Sequence, residues 1–408
     1  MRLFRTSAAA ALTTAAALAA PLAHAQTTYA IPSLSDFSGP FASVMPGFAS
    51  GREAVLSWWN AEHGAKLGVK LDLKPYDTRY DTAQTASLWP AVAAGKPIIG
   101  FSLGGPDVAA LQQRLPTDKV PMILGSAANG FGWRPNQWVM STRPTFVHEL
   151  SGFVEWFQKT KAGGSRPVKI AMFTTEASPS FADMGKGIIA YAKANPAMVE
   201  LVEMVYVEPQ PADVTLQLRR VLNAGAEVVL APGSLQQAIA VKRAMQALGK
   251  KVPIVYSMHN SLSILERPLG GLAALEGDYE AYSSAIAGVE NNEARQFYDL
   301  LVAKHGLKAS WASFTTLGIG QALVLVRAVE SAARKHGGDK LTGELMYKTL
   351  IDTKFPAKEF FGYVGGDIDF SVEAPFPLGD ARVNIGQVVG GKLTTVATGV
   401  PSPKLAKW

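Results

Sequence analysis

Two short apolar runs, residues 98–101 (Ile-Ile-Gly-Phe) and 120–124 (Val-Pro-Met-Ile-Leu), each stop abruptly in a loop of small residues. Ser102-Leu103-Gly104-Gly105 follows the first and Gly125-Ser126-Ala127-Ala128-Asn129 the second. Runs this short and apolar read as strands buried on both faces, as in a parallel sheet. Residues 108–115 between them read as the crossover helix, with Pro106 early, where a missing N–H costs little. Both loops then fall at the carboxyl edge of the sheet, where open α/β sheets take ligands. Free backbone N–H groups at a helix N-terminus there suit an anion. The stretch predicts half of a ligand-binding cleft, with the rest of the chain building the other half.

The flanking pattern repeats the same unit. Strands are predicted at 28–34 and 69–76, where apolar and polar residues alternate, with helices at 41–63 and 82–93. Residues 138–143 are extended, and Pro144 ends them. A second unit follows, with strands at 169–173, 201–207, 227–231 and 252–257. Its helices are predicted at 145–161 and 181–195, then one opened by Asp213 as N-cap and one stopped by Gly249. From residue 278 the chain returns to the first unit, with helices at 293–305, 310–336 and 343–353. The tail reads as short antiparallel strands at 361–363, 368–370, 383–389 and 392–398, the last two joined by Gly390-Gly391. The predicted fold class is α/β: two doubly wound α/β lobes joined by a multi-strand hinge. Lobe 1 takes 26–143 plus about 283–355, and lobe 2 takes 144–282 plus about 356–408.

The start of the chain reads as a secretory signal peptide over residues 1–25. Arg2 and Arg5 precede an alanine-rich apolar run, and Ala23-His24-Ala25 is a small-x-small cleavage site. The run is short against the ~20 residues of a membrane span. No other stretch reads as a span, so a soluble mature chain is expected. The formal charge of +6 drops by two with the loss of both arginines. The remaining basic residues are scattered, which predicts no nucleic-acid partner. There is no cysteine, which removes thiol catalysis and cysteine-based metal sites.

The histidines His63, His148, His259, His305 and His336 show no metal-binding spacing. Neither a GxSxG elbow nor a P-loop occurs, and Gly318-Ile319-Gly320 lies inside a helical stretch. No enzyme activity, metal or cofactor is expected. His259 is the exception among the histidines, because it falls on a predicted cleft loop.

The chain resembles the extracellular solute-binding proteins of the branched-chain amino-acid type, with the type I periplasmic-binding fold. The residues that carry the resemblance are Ser38-Gly39-Pro40, Gly51, Ala54, Asn60, Gly68 and Tyr76-Asp77-Thr78-Arg79-Tyr80-Asp81. Val120-Pro121, Arg143, Gly185, Gly187, Asp213-Val214 and Ala224-Gly225-Ala226-Glu227-Val228-Val229 continue it. The resemblance implies that a ligand carboxylate is held on the first lobe by Gly104, Gly105, Ser126, Ala127 and Ala128. Phe37, Ser38, Phe181, Ser234 and His259 complete the candidate ligand-binding set. Phe37, Phe131, Trp133, Phe181 and Tyr256 are the aromatics near predicted cleft edges.

Two departures bear on the ligand. Ala128 stands where amino-acid binders carry a hydroxyl. Ser257-Met258-His259-Asn260 has no acid to pair an ammonium, and Asp183 and Glu176 sit on another loop. The solute is therefore an amino acid, or an aromatic or other organic acid. The resemblance implies a periplasmic monomer delivering a small molecule to the membrane permease of an ABC transporter. A sensor of the same fold signalling to a regulator, and an exported hydrolase, are the alternatives.

Overall fold

The structure, a computed structural model, describes residues 26–126, 137–288 and 290–408. The predicted signal peptide, Ala127, Ala128, Phe131 and Trp133 lie outside the described residues.

The first sheet is built from β1 (Thr27–Ser35), β2 (Val69–Asp77), β3 (Gly100–Ser102), β4 (Met122–Leu124) and β5 (Val139–Ser141). Its order is β2-β1-β3-β4-β5 and every pairing is parallel. α1 (Met45–Glu62), α2 (Thr82–Ala94), α3 (Gly105–Leu111) and the single turn α4 (Leu115–Asp118) make its crossovers. β3 and β4 are three residues each and wholly buried, so their apolar runs carry no alternation.

The chain then crosses to a second sheet. Its elements are α5 (Phe146–Thr160), β6 (Val168–Thr174), α6 (Pro179–Ala194), β7 (Val199–Tyr206), α7 (Thr215–Asn223), β8 (Val228–Leu230), α8 (Leu235–Ala247), β9 (Ile254–Tyr256), the turn α9 (Leu262–Leu265) and β10 (Tyr279–Tyr282). α10 (Glu293–Lys304), α11 (Ser313–His336) and α12 (Gly343–Asp352) return to the first sheet. β11 (Arg382–Val389) and β12 (Lys392–Pro401) then cross back and extend the second sheet antiparallel, giving β12-β11-β10-β9-β8-β6-β7.

Several expectations are corrected in detail. Asp213 is not the N-cap of α7; Val214 holds that position, and the Asp213 carboxylate accepts the Thr215 N–H from one residue earlier. Residues 361–363 and 368–370 form no strands; Ile368 makes a lone bridge to Phe355 while Phe361 takes a left-handed turn at φ 50°. α11 is long and apolar enough to cross a membrane by composition, contrary to the expectation that no further stretch is. It is a core helix instead, buried from Ser313 to Ala333 on nearly every side, and such helices are apolar all round.

Two glycines let α11 lie backbone to backbone on α1. A Cβ on Gly318 would sit 2.2 Å from the Phe48 carbonyl oxygen, and one on Gly51 2.8 Å from that of Thr315. This contact fixes the returning helix on the first lobe. Two of the three crossings are tied together by a buried ion pair, and the third is held by a backbone hydrogen bond beside it. Arg143 Nε and Nη2 donate to Glu149, whose Oε1 also accepts the Ser283 N–H at 2.8 Å. The Ser141 N–H donates to the Pro375 carbonyl at 2.8 Å. All three crossings thus meet at one hydrogen-bonded knot.

Candidate ligand-binding cleft

The carboxyl ends of both sheets face each other across a cavity of about 380 Å³. From the first lobe come Pro40, Phe41, Ser43 and Val44 after β1, Tyr80, Asp81 and Thr82 after β2, and Pro106 in α3. From the second come Thr175, Ala177, Ser178, Pro179 and Phe181 after β6, Pro209 and Gln210 after β7, Ser234 to Gln236 after β8, and His259 after β9. Every contributor follows a strand, because only the loops at that edge point out of the sheet. Past Phe41, Tyr80 and His259 the cleft narrows into a smaller void walled by Leu103, Ser126, Phe314 and Leu317.

The lobes are closed on one another. The Tyr80 hydroxyl lies beside that of Ser178. Ser261 Oγ and Ser313 Oγ are 2.7 Å apart, and Ser313 Oγ donates to the Met258 carbonyl at 2.9 Å. Gly105 approaches α6 so closely that a Cβ there would meet Ser180 Oγ at 2.2 Å.

The wall is mixed, with phenylalanine, proline and valine side chains beside the hydroxyls and amides of residues such as Ser43, Thr175, Ser178 and Gln210. Among the described residues lining the main cavity there is one carboxylate, Asp81, and no lysine or arginine. His259 sits among the rings of Phe41, Phe146, Phe181 and Phe314, with centroids 4.9–6.3 Å away. Burial lowers its pKa to about 3, with the Arg143 charge adding to the shift, so it is a neutral imidazole at any physiological pH. Its Nε2 lies 3.5 Å from Ser126 Oγ, and its Nδ1 has no partner among the described residues. A serine–histidine pair this long, with no carboxylate behind the ring, lacks the orientation a general base needs.

The sequence matches the periplasmic binding protein family over residues 28–391. The chain belongs to that family. No curated protein is matched. Three solved structures share the fold of this binding protein. A branched-chain amino-acid ABC transporter protein from Thermus thermophilus, with bound valine, is 19% identical at a TM-score of 0.77, over 91% of this chain and 96% of its own. A fatty acid ABC transporter substrate-binding protein from Thermomonospora curvata is 20% identical at 0.74, over 91% and 92%. A solute-binding protein from Rhodopseudomonas palustris HaA2, in complex with p-hydroxybenzoic acid, is 19% identical at 0.71, over 92% and 98%. The family's members bind solutes, and solute binding is the general role of this binding protein.

The structure brings some of the sequence-predicted residues to the cavity and keeps others away. Phe181, Ser234 and His259 line it, and Ser126 lines the inner void. Ser234 presents its wall with the hydroxyl already engaged, accepting the Gln237 N–H in a capping box and donating to the Pro209 carbonyl. Phe37 and Ser38 are off the cavity. Phe37 is 41% exposed, and both are tied to Asp77 by the Phe37 N–H and the Ser38 hydroxyl. Tyr256 is a core residue whose hydroxyl donates to Asp278, and Asp183 holds the Trp408 indole.

The glycine loop also differs from its expected role. The Asp107 carboxylate takes the Leu103 N–H at 2.7 Å and the Thr85 hydroxyl at 3.0 Å, and neither Gly104 nor Gly105 is among the described residues lining either cavity. The Tyr80 ring packs against this loop, so that a Cβ on Gly104 would sit 2.7 Å from Tyr80 Cε2. The Ser126 N–H donates to the Leu103 carbonyl at 3.0 Å, leaving only its side chain for the void. Asp107 occupies the start of α3 as an internal anion. Behind it the buried Arg52 guanidinium is surrounded by neutral acceptors, Gln321 Oε1, Ser33 Oγ and Ser35 Oγ among them, and stacks 3.9 Å over Phe48. Sequence reasoning missed Phe41 and Tyr80, the two aromatics that close the cavity from the first lobe. The signal was present: each lies in the turn just after a first-lobe strand.

Proposed function

We propose that this protein is the periplasmic solute-binding component of an ABC-type importer, enclosing a small carboxylate-bearing solute between its lobes. Lobe 1 comprises residues 26–143 with about 283–355, and lobe 2 comprises 144–282 with about 356–408. Export by the N-terminal segment, monomeric state and docking on a membrane permease complete the reading.

The observation that carries it is the cavity of about 380 Å³ walled by strand-end loops of both lobes. Such a site is formed only when the lobes close, so ligand contacts to both sides bias the closure. Two crossings knotted by Arg143 and Glu149, with the third held beside them, restrict the motion to rotation about that knot. The T. thermophilus and R. palustris relatives are titled with valine and p-hydroxybenzoic acid. An organic acid is favoured over an α-amino acid here, because among the described residues no carboxylate lines the inner end of the cleft to pair an ammonium.

A thermal-shift screen of amino acids, aromatic acids, aliphatic acids and their amides tests the reading. A solute at about 100 times its Kd adds ~2.7 kcal/mol of stability. Small-angle scattering with and without that solute reads the closure. A stabilising solute released chemically unchanged is the expected result. Absence of any stabilising solute, or steady turnover of one, would count against it.

A further inference from the structure

β2 lies at one edge of the first sheet and pairs only with β1, while at the other edge the Ser141 N–H of β5 already donates to the Pro375 carbonyl. In a parallel pair, the backbone groups of alternate residues point to opposite sides of the strand. The Gly68 carbonyl accepts the Thr27 N–H and the Thr78 N–H donates to the Ser35 carbonyl. The even-numbered residues of β2 therefore face β1, and the odd-numbered ones face outward. An edge left with free N–H and C=O groups is a template for another chain, and native proteins close such edges.

Here one side chain does most of the closing. Leu71 faces outward, and Asn60 at the end of α1 takes both of its backbone groups. The Leu71 N–H donates to Asn60 Oδ1 at 2.9 Å, and Asn60 Nδ2 donates to the Leu71 carbonyl at 2.8 Å. A neighbouring strand would make the same two bonds. Other features guard the flanks. A Cβ on Gly64 would sit 2.6 Å from the Val69 carbonyl oxygen, so the turn before β2 covers that position, and Pro75 has no N–H to offer. Leu73 lies between the guarded positions. With Leu71 it lines a surface groove of about 550 Å³, whose wall includes Asn60, Lys70 and Asp72.

The charges along β2 match a second copy of β2. Asp72 and Lys74 are 45% and 51% exposed and form an ion pair of 2.7 Å, which at that exposure contributes little and is free to exchange partners. Antiparallel pairing about a two-fold axis at Leu73 sets Asp72 of each copy against Lys74 of the other. The same register brings the Leu71 N–H to the Pro75 carbonyl of the other copy, a bond that Asn60 forestalls.

We propose that the Asn60 amide stands in for a neighbouring strand and keeps β2 closed to pairing with β2 of a second copy. The edge lies outside the walls of the cleft, so this role is independent of the solute and of its binding.

Sedimentation velocity of the mature chain at pH 7, over a hundred-fold range of concentration, tests it. Asn60→Ala should lower the dimer dissociation constant ten-fold or more relative to wild type. Adding Lys74→Glu or Asp72→Lys to Asn60→Ala should abolish that gain, because like charges then face each other across the axis. Mixing those two double variants should restore it as a heterodimer. Gly318→Ala, which strains a contact elsewhere in the lobe, controls for association through partial unfolding and should match the wild type. Hydrogen exchange of the unaltered protein gives a reading that needs no variant: the Leu71 amide should exchange ten-fold or more slowly than the Leu73 amide. The proposal is overturned if folded Asn60→Ala associates no more than wild type, if Gly318→Ala associates equally, if the charge variants leave the association unchanged, or if the two amides exchange alike. A wild-type dimer would end the monomeric reading, while the comparison with Asn60→Ala would still decide this one.

Discussion

Arg143 and Glu149 show how much one buried pair can carry. Both are essentially inaccessible, and Glu149 also takes the Ser283 N–H from the second crossing. Removing one partner strands a buried charge, which costs ~3–5 kcal/mol. Glu149→Gln should therefore lower the unfolding free energy from urea titration by that amount, while Arg143→Met combined with Glu149→Leu should be much milder. Equal losses in the single and double variants would show that the pair's packing matters more than its charge. The role of Arg143 could not be read from the sequence beyond its position before the crossover, since its partner Glu149 is tied in turn to Ser283, 134 residues further on. His259 was legible as a cleft-loop residue because it follows a buried strand. Its four-ring surroundings were not, because Phe41, Phe146, Phe181 and Phe314 come from four separate elements or turns.

At the level of elements, close approaches decide the behaviour. Gly318 meets the Phe48 carbonyl, which is backbone and cannot rotate aside. Gly318→Ala should push α11 off α1 and cost ~1–3 kcal/mol, read as a fall in Tm. Gly105 faces α6 differently, since the nearest atom is the rotatable Ser180 Oγ and the Ser180 Cβ lies 3.4 Å off. Gly105→Ala should be tolerated once Ser180 turns. Gly105→Leu should prop the lobes apart, weakening solute binding ten-fold or more and enlarging the scattering radius, with little change in the stability of the free protein. Compact scattering with solute-bound Gly105→Leu would contradict that. The strands and most helices were legible to within a few residues, because β3, β4 and the first-lobe helices follow simple apolar patterns. The tail was less legible: residues 361–370 are apolar for packing on the core, not for pairing in a sheet.

For the whole molecule, pH dependence follows from groups buried in uncharged form. Glu280 is fully inaccessible, and burial raises its pKa to about 7 despite hydrogen bonds from Tyr282 and the Leu262 N–H. An acid with a raised pKa gives stability that is complete below its ordinary value of 4.5 and is lost as pH rises through 7. His148 and His259 act in the opposite sense, with pKa values lowered by burial to about 4 and about 3. Their contribution is complete above 6.5 and is lost as pH falls through those values. A broad optimum between the two limbs is expected. Glu280→Gln keeps an acceptor for the Leu262 N–H and can donate its amide to the Tyr282 hydroxyl, and it should shrink the drop in Tm between pH 5 and pH 8, each pKa unit being worth about 1.4 kcal/mol. An unchanged drop would place the alkaline limb on other groups.

The sequence alone determined the alternation of strand and helix, the two doubly wound units, and the strand-end loops where a solute could sit. Those features follow from local apolar periodicity and turn chemistry, which neighbouring residues encode. Only the tertiary structure decided which loop atoms are free. Asp107 takes the Leu103 N–H and the Ser126 N–H is spent on the Leu103 carbonyl, while His259 Nδ1 has no partner among the described residues. Hydrogen-bond accounting of this kind depends on contacts between residues far apart in the chain, and no local pattern records them.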